Sequence, residues 1–257
     1  MLGSRPPMIA LISDIHSNVE ALTAVYEDMQ AFDVDEVFCL GDVIGYGPDP
    51  RETLALVKDA SFVLMGNHEE GLLFTAESFN QRARGALEWT RDQLNSSSFT
   101  KDENFALWGL IDSFQKQERR GDMMFVHASP RQPVREYVMP SDALDQSKMS
   151  DIFGHMGDAK TCFGGHTHVP GVFVEGGGFR HQSDIEERLP LPDRRCLVNI
   201  GSVGQPRDGD PRASYVLVDE DGLLFRRVEY DFRTTMRKIA NNPSLDDFLA
   251  RRLKAGQ

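Results

Sequence analysis

Seven histidines stand at positions 16, 68, 127, 155, 166, 168 and 181, and five of them fall directly after runs of strand character. Those five lie in Ser13-Asp14-Ile15-His16, Gly66-Asn67-His68-Glu69, Val126-His127-Ala128 and Gly164-Gly165-His166-Thr167-His168, and one more strand ends in Gly41-Asp42. Histidines kept for packing would not collect at strand ends, which is where open α/β sheets bind ligands. Asp14 and His16 are two apart, so an extended segment turns both side chains to one side, and His166 and His168 repeat the spacing. A carboxylate with an imidazole, or a pair of imidazoles, can then reach a single cation. Asp42 has two oxygens, enough to bridge two ions, and Asn67 offers a neutral amide oxygen. His68 points elsewhere, toward whatever the metals bind.

The donor set is therefore Asp14, His16, Asp42, Asn67, His127, His166 and His168, too many ligands for one tetrahedral zinc. It fits two ions that share Asp42 at about 3.5–4 Å, the spacing of hydrolytic two-metal sites. Mixed nitrogen and oxygen donors suit Mn²⁺, Fe, Zn²⁺, Co²⁺ or Ni²⁺ better than Mg²⁺, and Mn²⁺ is favoured. Two divalent ions outweigh two aspartates in charge, so the site draws in an anion such as phosphate. A water shared between the ions loses its proton near neutral pH and becomes a nucleophile. These are the physical requirements of phosphoester hydrolysis.

Such residues must be brought together by a sheet. Apolar runs at Met8–Ile12, Val37–Leu40 and Phe62–Met65 read as buried strands, separated by helical patterns through Ala21, Leu22, Val25, Met29 and Phe32 and from Pro50 through Leu54, Leu56 and Val57. Strand and helix alternating at this pitch imply crossover units and a mostly parallel sheet. Gln81–Leu94 reads as a helix, and Thr100 to Glu103 as a capping box opening another. Beyond these, Gln115–Gln117 and Met123–Val126 flank a hairpin loop at Glu118-Arg119-Arg120-Gly121-Asp122. Further strands are expected at Thr161–Phe163, Val172–Val174, Cys196–Asn199, Ser214–Asp219 and Leu223–Tyr230, with Asp221-Gly222 turning between the last two, and a terminal helix at Asp246–Leu253. No linker interrupts the pattern, so residues 8–257 are read as one domain behind a disordered segment 1–7.

Composition narrows the function classes. The chain has 257 residues, 40% hydrophobic and 26% charged, which fits an ordinary globular fold. Its 28 Lys and Arg against 40 Asp and Glu give a net charge of −12, which argues against a nucleic-acid polymer as partner. Three cysteines, Cys39, Cys162 and Cys196, form no disulfide framework and point to a reducing compartment. No stretch has the length of a signal peptide core or a membrane span, so a cytoplasmic protein acting on a small phosphate ester is expected, its oligomeric state left open.

The ordered set Asp14-x-His16, Gly41-Asp42, Gly66-Asn67-His68, His127 and Gly165-His166-x-His168 resembles the calcineurin-like metallophosphoesterase superfamily. The tail Asn199-Ile200-Gly201-Ser202-Val203-Gly204-Gln205-Pro206-Arg207 and the short length are similar to its small bacterial and archaeal phosphodiesterase branch. The resemblance implies the metallo-dependent phosphatase fold, a four-layer α-β-β-α sandwich of two mixed sheets flanked by helices. It also implies that Asp14, His16, Asp42 and His168 hold one metal and that Asp42, Asn67, His127 and His166 hold the other. His68 would protonate the leaving-group oxygen or stabilise the transition state during in-line attack on phosphorus by the metal-bridging hydroxide.

Other readings compete. Protein serine/threonine phosphatases and dinucleoside-tetraphosphate hydrolases usually carry an arginine soon after Gly-Asp, absent from Gly41-Asp42-Val43-Ile44-Gly45-Tyr46-Gly47, although Glu69 is similar to them. A scaffold that kept the fold and lost the chemistry should lack ligands, and here every position is filled. Arg207 and the backbone donors of Gly201–Gly204 either hold phosphate oxygens or form a glycine turn with an exposed Arg207-Asp208 pair. Tyr46 either stacks on a substrate or shapes a turn. His155 and His181 are read as structural or surface residues, and Cys39 and Cys162 as core.

Overall fold

Alternation in the first strand, β1 (Met8–Ile12), sends its side chains into two different cores. Ile9 and Leu11 enter a cluster with Phe38, Phe125, Phe163, Val198 and Val216, while Ala10 and Ile12 enter another with Leu22, Val25, Leu54 and Leu217. A strand buried on both faces must lie inside a layered fold. The computed structural model describes residues 7–185 and 188–257, so the disordered segment expected at 1–7 lies, except for Pro7, outside the described residues.

After β1 come α1 (Val19–Met29), β2 (Val34–Cys39), α2 (Pro50–Val57) and β3 (Phe62–Val63), and the three strands run parallel as expected. Helices α3 (Asn67–Leu73), α4 (Gln81–Leu94) and α5 (Lys101–Asp112) follow. The α5 capping box forms, with Thr100 Oγ1 accepting from the Glu103 N–H at 3.2 Å and Glu103 Oε2 accepting from the Thr100 N–H at 2.7 Å. Next are β4 (Gln117–Arg120), β5 (Met123–Val126), α6 (Gln146–Gly154), β6 (Thr161–Gly164), β7 (Gly171–Val174), β8 (Phe179–His181), β9 (Cys196–Asn199), β10 (Ala213–Asp219), β11 (Gly222–Val228), α7 (Phe232–Ala240) and α8 (Asp247–Ala255).

The strands form two mixed sheets, ordered β11-β10-β1-β2-β3 and β4-β5-β6-β9-β7-β8. Phe125 of β5 faces the core between the sheets, whereas Met124 and Val126 pack with Met149, Ile152 and Phe153 of α6 on the outer face. Helices α1 and α2 cover the outer face of the first sheet. The result is the expected helix–sheet–sheet–helix sandwich. No helix among the described residues is long and apolar enough to cross a membrane.

Several local expectations shift. The hairpin loop is shorter than Glu118–Asp122, because β4 extends through Arg120 and the turn closes on Gly121 at φ +60°. The last hairpin turns at Glu220-Asp221, and Gly222 already pairs with Asp219. Helices α6 and α7 were not foreseen; each is only 9 residues long, and few of their residues are buried. Cys39, Cys162 and Cys196 are free and buried.

Candidate metal centre

The loops after β1, β2, β5 and β6, with the N-terminus of α3, meet at one end of the two sheets. Backbone bonds stitch the first two together, from Asp14 N–H to Gly41 O and from His16 N–H to Asp42 O, both at 3.0 Å. Asp14, His16, Asp42, His166 and His168 all have positive φ, between 49° and 65°. This corrects the extended geometry expected for the Asp14/His16 and His166/His168 pairs. Left-handed turns, not alternation, aim these side chains inward. Non-glycine residues rarely adopt that conformation, and its concentration here marks a backbone held in place by its surroundings. Glycine is required where loops cross: a Cβ on Gly165 would lie 2.2 Å from Asp14 Oδ2, and one on Gly66 would lie 2.1 Å from Asp42 Oδ1.

All seven expected donors converge. Asp14 with His16 and His168, and Asp42 with His127 and His166, form two buried groups whose ligand atoms lie within 4.8 Å of one another. Asp42 also groups with His16 and His68, so its carboxylate lies between the two clusters. Its Oδ1 accepts from the His68 N–H at 2.9 Å, which leaves Oδ2 facing His16 Nε2 at 3.7 Å and His127 Nε2 at 3.4 Å. Asn67 Oδ1 lies 3.2 Å from His127 Nε2.

The donor chemistry tests whether a cation fits. His16 Nδ1 meets Ile44 O at 3.2 Å, and His168 Nδ1 meets Gln205 O at 2.5 Å. A carbonyl only accepts, so each Nδ1 carries the ring proton and each Nε2 presents a lone pair. Those two Nε2 atoms face each other at 3.2 Å. Burial holds both rings below the ordinary histidine value, so no proton is available to bridge them. Beside them Asp14 Oδ1 is buried without a hydrogen-bond partner. Three facing acceptors make no stable contact unless a positive ion sits among them. In the second cluster His127 Nδ1 is directed at Leu40 O at 2.9 Å, and its Nε2 meets His166 Nδ1 at 3.2 Å. Burial opposes charge on His127, but the Asp42 carboxylate overrides it and raises the ring to about 9.

That proton occupies a position a metal needs. Below about pH 9 a cation must displace it, so Mn²⁺ affinity is expected to rise with pH up to that value and then level off. Calorimetry in buffers of different ionisation enthalpy checks this by showing proton release on binding, which should vanish in His127→Ala.

Sequence reasoning missed the residue that ties these loops together. Glu69 is fully buried. Its Oε2 accepts from the N–H groups of Asp42 and Gly66, each at 2.9 Å, and its Oε1 from Ile44 N–H at 3.1 Å. Burial, together with the Asp42 charge, raises its pKa to about 7. Only its position in the Asn67-His68-Glu69 run hinted at this. Glu69→Gln turns an amide N–H₂ against backbone donors, so a loss of about 1–3 kcal/mol is expected in a urea titration.

The Asn199–Arg207 segment resolves in an unexpected way. Gly201 N–H donates to Asn199 Oδ1 at 2.9 Å, and Val203 and Gly204 N–H donate to Ser13 O and Asp14 O, both at 3.0 Å. These donors are engaged in holding the Asp14 loop and do not face a ligand. Asp208, however, pairs with Arg227 and with His181, the latter at 3.4 Å, and not with Arg207. Arg207 thus lies beside the centre, its Nη2 on Gln205 Oε1 at 2.8 Å and its Nε buried without a partner. Tyr46 packs on His16 and His68, with ring centroids 4.8 and 4.5 Å away. His68 Nδ1 is buried and unpartnered, and burial lowers the ring to about 4. His155 is at the exposed end of α6, away from the cluster.

Residues 8–222 match the model of the calcineurin-like phosphoesterase superfamily domain. The chain belongs to that family. It is 37% identical to an uncharacterized protein of Methanocaldococcus jannaschii over 97% of this chain and 98% of the relative. A metallophosphoesterase from Sphaerobacter thermophilus shares 34% identity and superposes with a TM-score of 0.81, over 98% of this chain and all of that one. A hypothetical protein from Pyrococcus horikoshii OT3 has the same fold at 18% identity and a TM-score of 0.77, covering 97% and 98% of the two chains. Membership of this family supports a phosphoester hydrolase, and the buried His and Asp clusters could hold metal.

Proposed function

We propose that this chain is a dinuclear, metal-dependent phosphoesterase that hydrolyses phosphodiester, or phosphomonoester, bonds of a small substrate by in-line displacement. The observation that carries the proposal is two buried His and Asp clusters, Asp14-His16-His168 and Asp42-His127-His166, with the Asp42 carboxylate lying between them. Asp14, His16, Asp42 and His168 would hold one ion, and Asp42, Asn67, His127 and His166 the other. When bound, two such ions supply Lewis acidity to the phosphate and acidify the attacking water; Mn²⁺ is our first choice.

The chain's own residues do the rest. The open side of the clusters leads into a cavity of about 250 Å³ lined by Tyr46, Asn67, Phe79, Arg135, Tyr137 and His166, a size for a small substrate. Arg207 presents a guanidinium without a carboxylate partner to the phosphate oxygens. His68, buried beside Asp42 and Tyr46, would stabilise the transition state or hydrogen-bond the leaving-group oxygen through a ring N–H as the ester bond lengthens. Glu69, the feature similar to protein phosphatases, has a structural role here. Three free, buried thiols fit a reducing compartment, and we place the reaction in the cytoplasm.

The test is a panel of mono- and diesters, bis(p-nitrophenyl) phosphate, cyclic nucleotides and phosphopeptides among them, given to Mn²⁺-loaded protein. Hydrolysis that stops with EDTA and returns with Mn²⁺ supports the reading. Phosphopeptides hydrolysed in preference to small diesters would redirect it to a protein phosphatase, and no hydrolysis of any ester would overturn it.

A further inference from the structure

In a protein with 12 more acidic than basic residues, most partly buried guanidiniums have a carboxylate. Arg131 has Glu136, Arg226 has Asp28 and Arg227 has Asp208. Three half-buried arginines pair with no aspartate or glutamate among the described residues; Arg51 is satisfied instead by Gln93 O, Leu94 O and Asn104 Oδ1, which leaves Arg207 and Arg252. Both stand on the same ring, each guanidinium carbon 5.9 Å from the Tyr46 centroid, and that ring packs on His16 and His68. Two like charges on one aromatic ring, with no aspartate or glutamate side chain paired to either, form a site that an anion would complete.

The two arginines are not equivalent. Arg207 belongs to the metal side: its N–H donates to His168 O at 3.3 Å, and its side chain rests on Gln205. Arg252 comes from α8, which packs with α7 in a separate cluster against Tyr46. Its Nε donates to Gln257 O, and its guanidinium carbon lies 5.6 Å from the Phe248 ring centroid. Burial and the neighbouring Arg207 charge draw Arg252 down to about 10, the mark of an uncompensated pair of cations that is still charged at neutral pH. The match to the family domain ends at residue 222, before α8.

Resting on the phosphoesterase reading, we propose that Arg252 together with Arg207 binds a second anionic group of the substrate, beside Tyr46, while the scissile phosphate lies at the clusters. The preferred substrate is then a phosphoester whose remaining part carries another phosphate. Arg252 sets specificity and takes no part in the chemical step.

Calorimetry on Mn²⁺-loaded protein with thymidine 3′,5′-bisphosphate and thymidine 5′-monophosphate tests this, because the two differ by one phosphate. The bisphosphate should bind at least tenfold tighter, the worth of one charge-assisted contact. Arg252→Gln should weaken the bisphosphate tenfold or more and the monophosphate less than threefold, with Arg252→Lys between. A merely structural role would weaken both ligands alike. Equal wild-type affinities, or a ratio that Arg252→Gln leaves unchanged, overturn the proposal. Parallel assays with the p-nitrophenyl 5′-esters, with and without the 3′-phosphate, keep the two readings apart. If neither ester is hydrolysed but the affinity ratio behaves as stated, the hydrolytic reading fails and the anion site stands. If both are hydrolysed at equal kcat/KM and the ratio is absent, the anion site fails and the hydrolytic reading stands.

Discussion

Asp42→Asn is expected to lower kcat/KM for bis(p-nitrophenyl) phosphate by about 10³-fold or more and to halve the Mn²⁺ retained per chain. The carboxylate lies between the two clusters, with Oδ2 3.7 Å from His16 Nε2 and 3.4 Å from His127 Nε2. An amide of the same shape keeps one acceptor and can still receive the His68 N–H. It has lost the charge that offsets two cations held close together and the second oxygen that would bridge them. Lewis-acid stabilisation from a metal is worth several kcal/mol, and about 4 kcal/mol corresponds to the stated factor at 1.36 kcal/mol per decade. Elemental analysis after gel filtration, paired with the rate, makes the test decisive. A variant that keeps full metal content and full activity would remove the shared carboxylate from the mechanism.

The placement of the seven donors was legible because each follows an apolar run, and topology alone brings those strand ends to one edge. Asp14/His16 and His166/His168 do not alternate along extended chain; they sit in left-handed turns. Such turns depend on contacts from distant loops, as when Ser202 Oγ donates to Asp14 O at 2.7 Å across 188 residues. No local pattern records that. The same limit hid Glu69, whose three acceptor contacts are with Asp42, Ile44 and Gly66, and the true partner of Asp208, which is Arg227 and not its neighbour Arg207. Adjacency in sequence suggested an ion pair that the β10–β11 hairpin takes for itself. The α7–α8 pair was half seen: the terminal helix was legible from its pattern, but its approach to Tyr46 depends on tertiary packing.

The centre is therefore built by two kinds of constraint. Burial and backbone carbonyls fix which imidazole nitrogen faces inward, and loop-to-loop bonds hold the backbone in conformations its residues would not choose alone. Both act before any ligand arrives. A site organised in this way does not have to reorganise as charge develops, which is the condition under which fixed dipoles and cations stabilise a transition state most.

His68→Ala tests the other end of the reaction. The ring is buried against Tyr46 and Phe79, with centroids 4.5 and 5.1 Å away, and Gly45 approaches so closely that a Cβ there would lie 2.1 Å from Nδ1. Such packing leaves the ring few alternative orientations. Its backbone N–H, not its side chain, is tied to Asp42, so truncation at Cβ leaves the shared carboxylate's contact in place. Metal content is accordingly expected to be unchanged while kcat falls about 10²–10⁴-fold, the range of positioned proton donors. The loss should depend on what departs. An alkoxide leaving group needs help with its developing charge, whereas p-nitrophenolate is stable by itself, so the deficit should be largest for alkyl diesters and shrink toward about tenfold for the p-nitrophenyl ester. A deficit equal for both classes would assign His68 to substrate positioning, and a loss of metal in the same variant would make it a ligand.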